Sequence, residues 1–277
     1  MIDIRQSPQY ANYLKSQGWK VERIDNINYF IKRFFIFGSI LKLQRPEKID
    51  FTSMNRIIEK YKVFQIIIEP LNELQAISFM QYGYKLSNSP FLPTKTLQID
   101  LTQSVEKITA NFSKDCRYSI RRGEKINIKS YSSADEIEIF HNAWKKSVKL
   151  NRLVPSLESI INLRKCFPDN NSLFLASHNI SGSIIGGVIF TRSLHDIAYY
   201  WQAFTNSEGR TSLSQYSLLY QGILWAKKNK CKIFEFEGIY DDRFPNKSWL
   251  GFTHFKKSFG GQEVLYPGCY TKFRFPI

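Results

Sequence analysis

The chain passes twice through a similar succession of short β-forming runs and amphipathic helical stretches, and this repetition constrains its fold more than any other feature. In the first half, residues 7–17 set Tyr10, Ala11, Tyr13 and Leu14 at helical spacing behind Ser7 and Pro8, an N-cap followed by a first-turn proline. Strand-like runs follow at 21–24 and 29–43, the second interrupted near Gly38 and Ser39. Residues 52–61 place Met54, Ile57, Ile58 and Tyr61 on one helical face, and 63–70 is a continuous apolar run of the kind that fills a buried strand. A helix stopped at Gly83 and two further strands, the clearer at 95–101, complete the round.

The second round opens with a long helix expected over 104–123, carrying Arg117, Arg121 and Arg122, then a strand at 126–131. Residues 134–150 form an amphipathic helix capped by Ser133 with acid in its first turn, and 156–167 another helix. Three strands at 172–178, 184–192 and 197–205 are joined by turns at 179–182 and 194–196. A helix at 213–230 buries one face through Leu213, Tyr216, Leu219, Tyr220, Ile223, Leu224 and Ala226. A buried strand at 232–239 follows, and two final strands surround Pro267 and Gly268. The order predicts a mixed α/β (α+β) protein duplicated at the level of fold, without a residue-level repeat.

Composition narrows the partners. Hydrophobic residues are 43% and aromatics 15% of 277 residues, enough for a buried core and incompatible with global disorder. The net charge of +15 fits a polyanionic partner, namely nucleic acid, an anionic membrane surface or a phosphate-bearing substrate; a merely basic background is the alternative. The four cysteines and four histidines are scattered, with no C-x-x-C spacing, so neither a zinc site nor a redox motif is expected. The N-terminus lacks an apolar signal core, and the longest apolar stretch, 29–43, is broken by Lys32, Arg33 and Lys42. The expectation is a soluble cytoplasmic monomer, held at most by charge to the inner face of the cell membrane.

Residues 172–239 follow the order of an acetyltransferase (GNAT-like) core: a three-stranded antiparallel meander, a helix, then a parallel strand. Acetyl-CoA enzymes generally carry a [QR]-x-x-G-x-[GA] loop before that helix, where backbone N–H groups hold phosphates. Here the corresponding stretch is Ser207-Glu208-Gly209-Arg210-Thr211-Ser212, with one glycine and no match.

The sharpest local signal lies at 235–261. It comprises Gly238-Ile239-Tyr240-Asp241, Gly251-Phe252 and Phe255-Lys256-Lys257-Ser258-Phe259-Gly260-Gly261, trailed by Tyr266, Gly268 and Tyr270. This pattern resembles the Fem family, tRNA-dependent aminoacyl ligases that extend peptidoglycan stem peptides. Weaker agreement is spread over Gln6-Ser7-Pro8, Gly18-Trp19, residues 95–101 and 117–125. The resemblance implies tandem GNAT-like domains: an N-terminal one over 1–103 completed by 265–277, and a C-terminal one over 104–264 carrying the site. The chain is short for the family and lacks its helical-hairpin arm.

The same resemblance implies roles. Phe255 and Lys256 would hold the aminoacyl end and stabilise the oxyanion, with core packing and a solvated lysine as the plain alternatives. Asp100 would orient or deprotonate the attacking amine, or cap a strand end. Arg152, Tyr200, Arg210 and Tyr216 would contact substrate, with an ordinary surface arginine at 152 and a core or interface aromatic at 200 as the alternatives, and Arg117, Arg121 and Arg122 would meet tRNA phosphates or form a solvated face. The implied partners are an aminoacyl-tRNA donor and a nucleotide- or lipid-linked muropeptide acceptor, the reaction forming an interpeptide bridge with no metal and no small-molecule cofactor expected. Two other functions stay open: an N-acyltransferase drawing on acyl-CoA, and a non-enzymatic basic RNA- or envelope-binding protein.

Overall fold

A computed structural model describes residues 2–35, 38–148, 153–193 and 196–274. The chain divides into two compact units, one formed by 1–96, 240–248 and 264–277, the other by 97–239 and 249–263.

The first unit begins with α1 (Pro8–Ser16), whose N-cap Ser7 accepts from the Tyr10 backbone N–H. A meander of β1 (Lys20–Ile24), β2 (Ile27–Phe34) and β3 (Gly38–Gln44) follows. After α2 (Phe51–Lys60), β4 (Val63–Glu69) returns parallel to β3. Then come α3 (Glu73–Gln81) and β5 (Lys85–Ser87), after which β6 (Lys95–Asp100) joins the sheet of the second unit. Alternation on the strands sends Tyr29, Ile31, Leu41, Leu43, Ile66 and Ile68 to a core shared with Met54, Ile57 and Phe79 of the helices.

In the second unit, the expected single helix over 104–123 is two: α4 (Val105–Ala110) and α5 (Lys114–Arg122). The break follows from Ser113, which caps α5 by accepting from the Cys116 N–H and donates its own N–H to the Ser258 carbonyl. Next are β7 (Asn127–Tyr131), α6 (Ala134–Ser147) with a full Ser133–Glu136 capping box, and α7 (Leu157–Cys166). The meander β8 (Ser172–His178), β9 (Ile184–Arg192) and β10 (Ile197–Thr205) leads to α8 (Ser207–Thr211) and α9 (Ser214–Lys228). Of the turn expected at 194–196, Leu194 and His195 lie outside the described residues. The strand expected over 232–239 is only β11 (Ile233–Glu235), parallel to β10, because the chain turns at Glu237. Finally come α10 (Leu250–Lys257) and β12 (Gln262–Leu265), after which β13 (Cys269–Phe273) joins the sheet of the first unit.

The duplication is topological. Each unit has an antiparallel meander, a helix and a parallel strand, and each parallel strand is flanked by an antiparallel one: β13 beside β4, β6 beside β11. The sheets run β1-β2-β3-β4-β13-β5 and β12-β6-β11-β10-β9-β8-β7. The second core gathers Leu97, Ile99, Phe112, Phe190, Leu218, Leu219, Ile223, Phe234, Phe236 and Phe259. Burying each of these large side chains contributes about 2–3 kcal/mol. Among the described residues no helix is long and apolar enough to cross a membrane.

Candidate active site

Strands β10 and β11 stay in register from Ile197↔Ile233 to Tyr199↔Glu235 and then part. On one side β10 bulges between Tyr200 and Gln202. On the other, the chain beyond β11 stays with β6, the Phe236 N–H donating to the Leu97 carbonyl. Beyond the parting point lies a cleft of about 1180 Å³. Its lining includes Tyr200, Trp201, Arg210, Tyr216, Glu237, Gly238, Phe252, Phe255 and Lys256, with Trp144 and Trp249.

Lys256 is a buried lysine in the lining of this cleft. It lies in the last turn of α10 and is only 8% exposed. Its Nζ donates to the carbonyls of Phe236 at 2.7 Å and Gly238 at 2.6 Å. Burial drives its pKa down from 10.5 to about 8, against the opposing pull of Glu237 and Glu235. An ammonium has three N–H donors; two are held by carbonyls and one remains for a ligand. The Tyr200 and Phe252 rings lie 5.5 Å and 5.0 Å from the nitrogen, within cation–π range. Phe252 and Lys256 are four residues apart on α10, which puts them on one helical face.

Phe255 is half-buried, edge-on to Tyr216 at 4.8 Å and to Phe259 at 5.5 Å, while Tyr216 stacks on Phe259 at 5.7 Å. It thus both anchors α10 to the core and walls the cleft. Burial raises the hydroxyl pKa of Tyr200 and of Tyr216, so both phenols stay protonated donors. The pair Gly260-Gly261 has a backbone reason: both residues have positive φ, and a Cβ at either would come within 2.7 Å of the Asn111 carbonyl or 2.6 Å of the Gln98 carbonyl. The glycines let the chain leave α10 without displacing its lysine.

The donor loop has collapsed into the short helix α8. Gly209 packs against β9, where a Cβ would lie 2.2 Å from the Ile185 carbonyl. The N–H groups of Gly209, Arg210, Ser212 and Leu213 already donate to Asn206 Oδ1 and the Asn206, Glu208 and Arg210 carbonyls. Arg210 is exposed at the cleft edge, one guanidinium nitrogen on the Thr205 carbonyl.

Of the residues expected to act together, the cleft gathers Lys256, Phe255, Tyr200, Arg210 and Tyr216. It does not gather Asp100, which is exposed and accepts from the Thr102 N–H and hydroxyl and from Gln103, a strand-end cap. Arg117 donates to the carbonyls of Ala110 and Phe112 and so closes the end of α4, whereas Arg121 and Arg122 are exposed in the last turn of α5. Arg152 lies outside the described residues. In the first unit, Asp241 accepts from Thr94 and Arg243, and Tyr266 lies under the Arg45 guanidinium at 3.5 Å; these motif residues hold structure. Trp201, Trp249 and Glu237 also line the cleft without a motif to mark them; glutamate in particular gives no sequence sign of the left-handed turn at 237.

No family model and no curated protein matches the sequence. Solved structures do. FemX superposes with a TM-score of 0.82 at 15% identity, over 98% of this chain and 92% of its own. A C-terminal domain assigned to lysylphosphatidylglycerol synthetase of Agrobacterium fabrum gives 0.64 at 11%, over 97% and 88%. A tandem GNAT protein from the clavulanic acid biosynthesis pathway gives 0.55 at 9%, over 91% and 84%. The chain therefore has a Fem-like fold of tandem GNAT-like domains, mixed α/β in both units.

Proposed function

We propose that the protein is an acyltransferase, and specifically an aminoacyl transferase that moves an amino acid from aminoacyl-tRNA to the stem peptide of a peptidoglycan precursor. The observation that carries the reading is the buried Lys256 ammonium, two of its protons fixed on carbonyls and the third uncommitted in a cleft. Attack of an amine on an ester produces a tetrahedral oxyanion. A preorganised cationic donor at that oxygen contributes about 3–4 kcal/mol to lowering the barrier. Phe255 walls the cleft behind the acyl group, and the rings of Tyr200 and Tyr216 add aromatic lining to it. The exposed Arg121 and Arg122, with the chain's charge of +15, supply cations for tRNA phosphates.

Two further points favour aminoacyl-tRNA over acyl-CoA. Four N–H groups of the loop before α9, those of Gly209, Arg210, Ser212 and Leu213, are already donated within α8 and its flanks. The fold is also shared with FemX at a TM-score of 0.82 and with a domain assigned to lysylphosphatidylglycerol synthetase, whose name points to transfer of a lysyl group, while the tandem GNAT protein superposes less well, at 0.55. The acceptor is a nucleotide- or lipid-linked muropeptide, and the GNAT-like unit carrying the chemistry is the one that holds α10. The test is incubation with charged total tRNA and a nucleotide-linked muropeptide, scored by acceptor mass, with parallel ribonuclease and acetyl-CoA arms. A gain of one aminoacyl residue, abolished by ribonuclease, is expected. A gain of an acetyl group alone, or none, would overturn the reading.

A further inference from the structure

Aminoacyl transfer to an amine needs a base as well as an oxyanion donor, because a primary amine arrives at neutral pH as an ammonium that cannot attack. Asp100 lies outside the cleft. Among the described residues that line it, the carboxylate is Glu237. Its position is tied to Lys256 by the chain itself: residue 237 sits between the two residues, Phe236 and Gly238, whose carbonyls hold the Lys256 Nζ.

The backbone is bent to put it there. Glu237 has φ 65°, in the left-handed region that disfavours a side chain with Cβ, and Gly238 follows at φ 134°. The bend is braced by the buried Glu235, whose carboxylate accepts from the Glu237 N–H at 3.0 Å and from Gln98 at 2.7 Å. Glycine or asparagine would take this conformation more easily. The bend places Glu237 in the cleft lining beside the two carbonyls that hold Lys256. In the tetrahedral intermediate the amine nitrogen and the oxyanion are bonded to the same carbon. The groups that serve them must therefore be close neighbours, as Glu237 and Lys256 are.

We propose that Glu237 is the base of this site: it binds the acceptor as a primary alkylammonium and takes its proton. The proposal rests on the aminoacyl-transfer reading. The freed amine forms the new C–N bond at the ester carbonyl, and the C=O π pair moves onto oxygen opposite Lys256. On collapse that pair re-forms the carbonyl, the C–O bond to the ribose breaks, and a second nitrogen proton passes to the departing ribose oxygen. Glu237 returns the first proton to solvent, so the net products are an amide, a free ribose hydroxyl and one proton.

The test compares two acceptors on aminoacyl-tRNA: a lysine-containing peptide, protonated at about pH 7, and hydroxylamine, which is neutral there. Rates are taken above the enzyme-free rate. In Glu237→Gln, transfer to the peptide should fall ~100-fold or more, in keeping with the loss of a general base. Transfer to hydroxylamine should stay within about threefold of wild type, since no proton need be removed before attack. Glu237→Asp should recover part of the peptide activity, and it serves as the test variant if Glu237→Gln does not fold. Equal losses on both acceptors, or none on the peptide, overturn the proposal. A wild type inert with both acceptors instead overturns the aminoacyl reading beneath it, and this proposal with it.

Discussion

Replacing Lys256 by methionine separates catalysis from stability. Holding the ammonium charged at a site where its pKa has dropped from 10.5 to about 8 costs about 3 kcal/mol of folding free energy at neutral pH. Methionine removes that cost and keeps most of the buried stem. It also leaves the Phe236 and Gly238 carbonyls without the donor they have now, at about 1–3 kcal/mol each, less where cleft water reaches them. The two terms nearly cancel, so Lys256→Met should change stability by no more than about 2 kcal/mol. Its transfer rate should nonetheless fall ~100-fold or more, the loss expected for an oxyanion donor. The sign of the pH dependence is a second check. The native lysine loses its proton near 8 and the unfolded one near 10.5, so between these values the unfolded state binds more protons and wild-type stability rises with pH. Relative to Lys256→Met, wild type should therefore gain about 3 kcal/mol between pH 8 and pH 10.5 and show a flat difference below. Denaturant unfolding at several pH values and single-turnover deacylation of charged tRNA measure the two effects. A variant that unfolds outright, or one that keeps transfer within tenfold, would refute the reasoning.

Other expectations are independent of that lysine. Exchanging both Arg121 and Arg122 for glutamine should lower the slope of log affinity for tRNA against log salt by about one unit per arginine, with little loss of stability; filter binding at several salt concentrations checks it. Arg117→Ala should instead destabilise, by about 1–2 kcal/mol in chemical denaturation, because its guanidinium closes the end of α4. Asp100→Ala should leave turnover within about threefold and cost up to ~1 kcal/mol of stability, as expected for a turn-capping carboxylate. Gly222→Ala should destabilise by about 1–3 kcal/mol, since the new methyl would lie 2.0 Å from the Phe190 ring, read as a drop in Tm.

Much of the fold could be read from periodicity because the signals were local. The helix behind Ser7 and Pro8, the Ser133 capping box and the alternating strands of both meanders each depend on residues a few positions apart. What escaped depended on distant contacts. The interruption between α4 and α5 is enforced by Ser113 meeting the Ser258 carbonyl, 145 positions away in the chain, by subtraction of their numbers. The early end of β11 depends on a left-handed Glu237, a residue type with no preference for that conformation. The Phe-Lys motif identified Lys256, but its neighbour Lys257 has the same local sequence character and is exposed. Only the placement of α10 against the parting strands decides which ammonium is buried. Arg117 and Asp100 illustrate the reverse: each had a chemistry-bearing side chain in a plausible motif position, and each is engaged by backbone or turn groups of its own neighbourhood.

The most direct measurement is the titration of Lys256 itself, followed through its side-chain resonances in isotopically labelled protein, alongside the pH dependence of transfer. A protonated Lys256 has a third N–H for the oxyanion; the neutral amine keeps only the two that its carbonyls occupy. Both curves should share a midpoint near 8, the rate falling as pH rises through it. A midpoint at the ordinary lysine value of 10.5, or a rate indifferent to the loss of that proton, would contradict the account.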